Sequence, residues 1–126
     1  MILVDTNVII ELWKKATEEE IKTFYETDVA ICGVVKSELL HGAFSQKNLD
    51  QIAFDLNLLE EVNIQENQWE AFGRFLYRLR TNGLVVPYAD ALIAFIAITN
   101  KLKLKTNDKH FRLIQVVIPE LQLLAE

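Results

Sequence analysis

Four carboxylate side chains occur in apolar or basic surroundings, near points where strands are predicted to end or helices to begin. They are Asp5, Glu38, Asp90 and Asp108. Parallel α/β sheets gather their ligands at the carboxyl ends of the strands. Carboxylate oxygen is the ligand that Mg²⁺ and Mn²⁺ prefer. The four acids therefore predict a pocket for a divalent cation.

Asp5 and Asp108 each follow a predicted strand. The apolar run 2–4 precedes Asp5, and the alternating segment 102–106 precedes Asp108. Each could instead have a structural role, because Asp caps helices and starts turns well. A cap explains either residue alone, but it does not explain why all four acids occur near predicted strand ends or helix starts.

Glu38 lies in a helical stretch over 34–42. It shares a face of that helix with Val34, Val35 and Gly42 and is predicted to point inward. A buried Glu is costly unless it is paired or bound to a metal. A structural salt bridge is the alternative to a metal.

Asp90 is the only non-apolar residue between positions 89 and 98, just after Pro87. A continuous apolar run indicates a helix that is buried nearly all round, so Asp90 is expected to face the interior from the first helical turn. A carboxylate is also favourable at a helix start, and capping is therefore the alternative role.

The composition indicates one compact domain over residues 1–126. The chain is 51% hydrophobic, has two prolines and four glycines, and shows no linker or repeat, so it can bury a sizeable core. The single Cys32 excludes an internal disulfide and is predicted to be a small buried side chain. No apolar run is long enough for a membrane span, and the first strand begins at Ile2, which together predict a cytoplasmic protein.

Strands and helices are predicted to alternate. The periodicity predicts strands at 2–5, 28–32, 61–64, 102–106 and 115–118, and helices at 7–15, 18–26, 34–43, 46–59, 66–82, 88–100 and 108–113. Capping boxes are predicted for Thr17 with Glu20 and for Asn63 with Glu66, and Gly83 should end the longest helix. This order indicates an α/β fold, a three-layer α/β/α sandwich with a mostly parallel central sheet.

Four segments resemble, in order, the motifs of PIN-domain ribonucleases. They are Val4-Asp5-Thr6-Asn7, Glu38 within 35–39, the stretch 87–94 and Thr106-Asn107-Asp108-Lys109-His110-Phe111. The resemblance is nearest to the small VapC-type toxins of toxin–antitoxin pairs and covers essentially the whole chain. A single motif is a weak signal, whereas the ordered set is highly specific.

The resemblance implies a magnesium-dependent endoribonuclease, the toxin of a type II toxin–antitoxin pair, that leaves 3′-hydroxyl and 5′-phosphate ends. It implies that Mg²⁺ (or Mn²⁺) is bound by the catalytic acids Asp5, Glu38, Asp90 and Asp108, supported by Thr6, Asn7 and Thr106. An ion of this kind can activate a water for attack on a phosphodiester.

Some members of the family carry a further acid two residues beyond the last motif aspartate. This chain has His110 at that place, which argues against a well-populated second metal. Both His110 and His41 lack a second ligand at zinc spacing, so both are predicted to be surface histidines.

Positive charge is concentrated in residues 101–112, although the whole chain has a net charge of −5. The segment is predicted to bind RNA phosphates through Lys103, Lys105, Lys109 and Arg112. Arg74, Arg78 and Arg80 on the long helix could extend this track. An ordinary solvated face is the alternative. Lys103 and Lys105 lie on the same face of their predicted strand. Helices cannot cover that face completely, so the strand is predicted to be partly exposed.

Two other functions stay open at this point. One is a PIN-type nuclease with RNA-processing work outside a toxin–antitoxin pair. The other is a receiver-like magnesium-binding signalling domain, which would need a phosphate-accepting Asp after its central strand and a Lys after a later one. The expected partners are an RNA substrate, a cognate antitoxin protein and a second copy in a homodimer. Core or interface contacts could come from Phe54, Leu58, Trp69 and Phe72.

Overall fold

The computed structural model describes residues 1–124. Strands and helices follow one another along these residues. In chain order they are β1 (Ile2–Val4), α1 (Thr6–Lys15), α2 (Glu18–Glu26), β2 (Val29–Ile31), α3 (Gly33–His41), α4 (Gln46–Leu56), β3 (Glu60–Glu61), a 3-10 turn (Glu66–Gln68), α5 (Trp69–Thr81), α6 (Tyr88–Thr99), β4 (Lys103–Lys105) and α7 (His110–Val117).

The strands form one parallel sheet in the order β3-β2-β1-β4. The predicted α/β fold with a mostly parallel central sheet covered by helices is confirmed. β1 lies between β2 and β4, so the chain leaves it in one direction and later returns on its other side. Ligands of open α/β sheets bind at such a reversal, beyond the carboxyl ends of the strands.

β4 has one buried face and one exposed face. Leu104 is fully buried, whereas Lys103 and Lys105 on either side of it are exposed. The strand is therefore partly open to solvent, as two lysines on one face require. Its outer edge is paired with the end of the chain, because Leu104 forms a parallel bridge with Leu123.

The predicted strand at 115–118 is wrong, because α7 continues to Val117. Three β-branched residues in succession favoured a strand. The buried residues are instead Phe111, Ile114 and Ile118, while Val116 is 80% exposed. This spacing is helical, and burial of that face outweighs the local strand preference.

α6 runs through the core, as its composition predicts. All residues from Ala91 to Ala97 are buried, and a helix this apolar has no solvent face. Cys32 is also buried and carries no disulfide. Among the described helices, none combines the length and apolar character that crossing a bilayer requires.

Two of the three predicted helix boundaries are confirmed. Thr17 and Glu20 form a capping box. Gly83 follows the end of α5 with φ of 80°, and the amide of Leu84 donates to the Leu79 carbonyl, which is the bonding of a Schellman motif.

The capping box predicted for Asn63 with Glu66 is wrong. Gln65 and Gln68 cap each other at this turn instead. The Asn63 side chain is engaged elsewhere, because its oxygen accepts a hydrogen bond of 2.6 Å from the Gly33 amide and its nitrogen donates to Glu61.

Candidate active site

Asp5 lies directly after β1 and is the one charged residue of the described chain that is buried, at 5% exposed. One carboxylate oxygen accepts a hydrogen bond of 2.8 Å from the Thr6 amide, so Asp5 does cap α1. The other oxygen accepts a hydrogen bond of 2.8 Å from the Thr106 hydroxyl. The parallel register explains this contact, because Val4 pairs with Lys105 and the next residues of both strands are neighbours.

Thr106 also holds the loop after β4. Its hydroxyl donates to Asp5 and accepts a hydrogen bond of 3.0 Å from the Asp108 amide. The Asp108 carboxylate then accepts a hydrogen bond of 2.9 Å from the His110 amide at the start of α7. The turn-forming role considered for Asp108 is therefore present, and it coexists with a side chain that lies beside the other acids.

Glu38 joins the cluster from α3. Its Oε1 accepts a hydrogen bond of 3.2 Å from the Thr6 hydroxyl. The prediction that Glu38 points inward is wrong, because the residue is exposed. α3 buries Val35 and Leu39 instead, and this places Glu38 beside the buried face, at the open side of the cluster.

Asp90 lies in the first turn of α6 with a side chain that is 16% exposed. The capping alternative is wrong for this residue, because Pro87 occupies the cap position and no side-chain cap bond forms. Its Oδ2 lies 3.1 Å from Nδ1 of His110. Asp90 therefore faces α7 and the loop after β4.

His110 is a functional candidate that the sequence prediction missed. The side chain is 42% exposed, so it lies at the surface as predicted, but its Nδ1 also lies 3.1 Å from Asp90 and 3.3 Å from Asp108, contacts that the prediction did not include. The sequence carried a signal, since position 110 follows the last acid by two residues. The contact with Asp90, 20 residues earlier, depends on the packing of α6 against α7 and is invisible in the sequence.

The acids are close enough for the charge of one to shift the pKa of another. Burial raises the pKa of Asp5, hydrogen bonds from Thr106 and Thr6 oppose that rise, and the charges of Asp90 and Asp108 add to it. Burial likewise raises the pKa of Asp90, against a hydrogen bond from His110 and together with the charge of Asp108.

Glu38 is more exposed than Asp5 and Asp90, and its pKa is shifted by the charges of both. Partial burial raises its pKa, the Thr6 hydrogen bond lowers it, and the charges of Asp5 and Asp90 raise it again. Like-charged carboxylates that converge in this way favour protonation or a bound cation. The structure thus brings the four acids together.

The donor atoms suit a divalent ion. One ligand atom each from Asp90, Asp108 and His110 lie within 4.8 Å of one another. Asp5 and Glu38 lie outside this group of three and are connected to it by hydrogen bonds through Thr106 and Thr6. Thr6 and Thr106 orient two of these acids, as predicted for supporting residues. Asn7 is exposed, and of the three predicted supporting residues it is Thr6 and Thr106 whose hydroxyls donate to acids of the cluster.

A cavity of about 340 Å³ is lined by Asp108, Lys109 and Arg112, among others, and Asp108 is the one of the four acids that borders it. Lys103 and Lys105 are exposed on β4, and Lys105 borders a different groove, between β4 and α1. Two of the four predicted RNA-binding cations, Lys109 and Arg112, therefore share a cavity with Asp108, and the other two lie on β4.

The arginines of α5 contact other parts of the protein. Arg74 pairs with Glu70. Arg78 donates to the Val117 carbonyl and lies 3.6 Å from Glu120, and Arg80 stacks on Tyr77. These contacts agree with the alternative reading of a structural and solvated face.

Of the four aromatic and aliphatic residues predicted for core or interface, one lies in the core and three are exposed. Phe72 is buried in the core, whereas Phe54, Leu58 and Trp69 are exposed on α4, the following turn and α5.

The chain matches a known protein family and is similar to several known proteins. The PIN domain family matches residues 2–117. Ribonuclease VapC1 of Methanocaldococcus jannaschii is 32% identical over 111 residues, which cover 87% of this chain and 78% of that protein.

Solved structures share the fold over nearly their whole length. The VapBC2 complex of Rickettsia felis, bound to a DNA fragment from its promoter, contains a chain that is 25% identical, with a TM-score of 0.75 and coverage of 98% of both chains. A chain of the DNA-bound VapBC of Salmonella typhimurium has a TM-score of 0.80 at 24% identity, again with 98% of both chains covered.

Proposed function

The chain belongs to the PIN domain family, and from this premise we propose that it is a metal-dependent endoribonuclease that acts as the toxin of a type II toxin–antitoxin pair. One observation carries the proposal. Asp5, Glu38, Asp90 and Asp108 come from four separate elements, and hydrogen bonds through Thr6, Thr106 and His110 connect them beyond the carboxyl ends of β1 and β4. Residues 1–126 would form one nuclease domain.

The acids would hold Mg²⁺ or Mn²⁺, which when bound supplies an activated water and neutralises the charge that develops on the phosphate. The protein's own contribution is to fix the ligands. Asp5 is held by Thr6 and Thr106, and Asp108 is held through its amide by Thr106. One threonine hydroxyl thus links the segments after β1 and β4. It fixes the Asp5 carboxylate, while the His110 amide fixes that of Asp108, so both acids are held before a substrate arrives.

RNA would approach from the side of the adjoining cavity. Lys109 and Arg112 line it together with Asp108, so phosphates next to the cleaved bond can be neutralised by these two cations. The acids alone would repel RNA. A bound cation reverses the local sign, so the metal should strengthen substrate binding in addition to being required for hydrolysis.

Incubation of the purified protein with single-stranded RNA, followed by mapping of both new ends, tests the activity. We expect 3′-hydroxyl and 5′-phosphate ends with the parent and with the exposed control Asp50→Asn, and no cuts with Asp90→Asn. Equal cleavage by the parent and Asp90→Asn would contradict the proposed site.

The antitoxin would control access to the same acids. The Rickettsia felis relative was solved as a complex, and an arginine fork binds carboxylates well enough to compete with a metal. A partner that copurifies with this chain should therefore weaken Mn²⁺ binding and inhibit cleavage together. Unchanged metal affinity and activity in the complex would rule out this mode of control.

A further inference from the structure

We propose that His110 is a nitrogen ligand of the bound metal ion, and that it makes this site favour Mn²⁺ over Mg²⁺. The inference deepens the proposed function and depends on it, because the four acids must first form a metal centre. It concerns one residue of this chain, which the sequence prediction assigned to the surface.

The positions of three donor atoms carry the inference. Nδ1 of His110 lies 3.1 Å from Oδ2 of Asp90 and 3.3 Å from Oδ1 of Asp108. Neighbouring ligand atoms of an octahedral ion with bonds of ~2.1 Å lie about 3.0 Å apart. The imidazole nitrogen is thus spaced from each carboxylate oxygen like a neighbouring ligand of such an ion. One ligand atom each from Asp90, Asp108 and His110 lie within 4.8 Å of one another.

The backbone holds His110 in this place. Its amide donates to Asp108 at 2.9 Å, so the same carboxylate is tied to the residue whose side chain approaches it. Phe111, the next residue, is fully buried and anchors the first turn of α7. The imidazole itself keeps an exposed fraction of 42%, which leaves room on the solvent side for water and substrate ligands.

Imidazole changes the metal preference of a carboxylate site. Mg²⁺ selects oxygen ligands and strict octahedral geometry, whereas imidazole nitrogen suits transition metals. Mn²⁺ accepts carboxylate, water and imidazole together. A site with three or four carboxylates and one imidazole should therefore discriminate in favour of Mn²⁺ more strongly than the same site with a further carboxylate.

The competing explanation is that His110 only donates a hydrogen bond to Asp90 and Asp108. Both explanations fit the distances, but they differ once the site is loaded. A ligand has its nitrogen bound directly to the ion, whereas a hydrogen-bond donor keeps its nitrogen bound to a proton.

Pulsed electron paramagnetic resonance of the Mn²⁺-loaded protein separates the two. We expect the coupling of a directly bound imidazole ¹⁴N in the parent and in His41→Asn, which removes the other histidine of the chain. The coupling should vanish in His110→Asn and His110→Asp. Competition titrations should show Mn²⁺ bound at least roughly tenfold more weakly by His110→Asn, because loss of even an outer-shell partner typically costs about 10–100-fold. The ratio of Mn²⁺ to Mg²⁺ affinity should be lower in His110→Asp, and this ratio separates a ligand from a hydrogen-bond donor.

Asp90→Asn distinguishes failure of the inference from failure of the proposed function. The acidic metal centre stands if the parent binds Mn²⁺ and Asp90→Asn weakens that binding. The inference about His110 is then overturned if the parent shows no ¹⁴N coupling and His110→Asp shows no change of metal preference. If the parent holds no Mn²⁺ at all, both are overturned. Circular dichroism and melts of each variant show whether it is folded.

Discussion

Asp5 shows how one carboxylate can have a structural and a chemical role at once. It caps α1 with one oxygen and accepts the Thr106 hydroxyl with the other. A cap normally faces solvent, but this one is buried, and its pKa is raised chiefly by that burial. A carboxylate held at such a cost is well explained by a bound cation.

Asp90→Asn separates a metal ligand from a structural acid. The metal-free protein carries repulsion between carboxylates, so the substitution should leave the free energy of unfolding unchanged or raise it by ~1 kcal/mol. It should also abolish most of the thermal stabilisation by Mg²⁺, because a ligand that binds only the native state stabilises it by mass action. Melts of the parent, Asp90→Asn and the exposed control Asp50→Asn measure both effects. Equal Mg²⁺ shifts in all three would remove Asp90 from the site.

The raised pKa of Asp90 predicts a pH dependence in protein stripped of metal. A carboxyl with a raised folded pKa stabilises the native state fully below its unfolded value, here 3.8, and that contribution is lost as the pH rises through the folded pKa. Asp90→Asn has no such loss. Its stability relative to the parent should therefore increase as the pH is raised above 3.8. Denaturant unfolding in EDTA at a series of pH values checks this, and a difference that stays constant or shrinks would contradict it.

At the residue scale, the sequence predicted which acids converge but not how each is exposed. Asp5 and Asp108 follow strands, and Asp90 stands alone in an apolar helix, so pattern alone locates them. Helical spacing placed Glu38 on an apolar face, yet only the packing of Val35 and Leu39 decides which side of α3 is buried. The position of His110 depends on contact between α6 and α7, which no local pattern encodes.

At the scale of elements, the end of α5 offers a paired stability test. Gly83 has φ of 80° and open space around its missing Cβ, so Gly83→Ala should destabilise the protein by about 1 kcal/mol through backbone strain alone. Gly73 lies exposed inside α5, also with open space. Gly73→Ala should stabilise by about 0.5–1 kcal/mol. Chemical denaturation of both variants measures the two signs, and two changes of equal sign would show that the Schellman geometry is not what requires Gly83.

The cations at the start of α7 should contact RNA phosphates. In an Asp90→Asn background that cannot cut, Lys109→Ala with Arg112→Ala should weaken binding of single-stranded RNA. The slope of log affinity against log salt should become shallower by about 1.4, at roughly 0.7 per lost contact. The double change of Lys22 and Lys47 to Ala alters net charge equally at exposed sites and should leave the slope nearly unchanged. Equal slopes in the two double variants would show that Lys109 and Arg112 do not contact RNA phosphates and belong to a solvated face. The double change Lys103→Ala with Lys105→Ala tests the strand lysines in the same way.

Element boundaries were predictable where one local signal dominates. The capping box of Thr17 and the glycine after α5 are such signals, and both are confirmed. Residues 115–118 had a strand-like composition but fold as the end of α7, because burial of Phe111, Ile114 and Ile118 follows a helical period. The partner of β4 at its outer edge is Leu123 instead, in a segment without a strand-like pattern.

At the scale of the whole molecule, an acidic protein has to bind a polyanion. The net charge is −5, and among residues 1–124 the buried charge is Asp5, within the site itself. Electrostatic attraction to RNA must therefore be local, from a bound cation and from Lys109 and Arg112 beside Asp108. β1 and β4 are neighbours in the sheet. This strand order places Asp5, after β1, near the segment after β4 that carries Asp108, Lys109 and Arg112.

Cleavage of a defined single-stranded RNA by metal-stripped protein, before and after adding Mg²⁺ or Mn²⁺, tests the central claim most directly. A metal-activated water is the proposed nucleophile, so we expect no cleavage in EDTA, recovery on adding either ion, and no recovery in Asp5→Asn or Asp90→Asn. Undiminished cleavage by the pure parent protein in EDTA, or full recovery in either variant, would contradict the account.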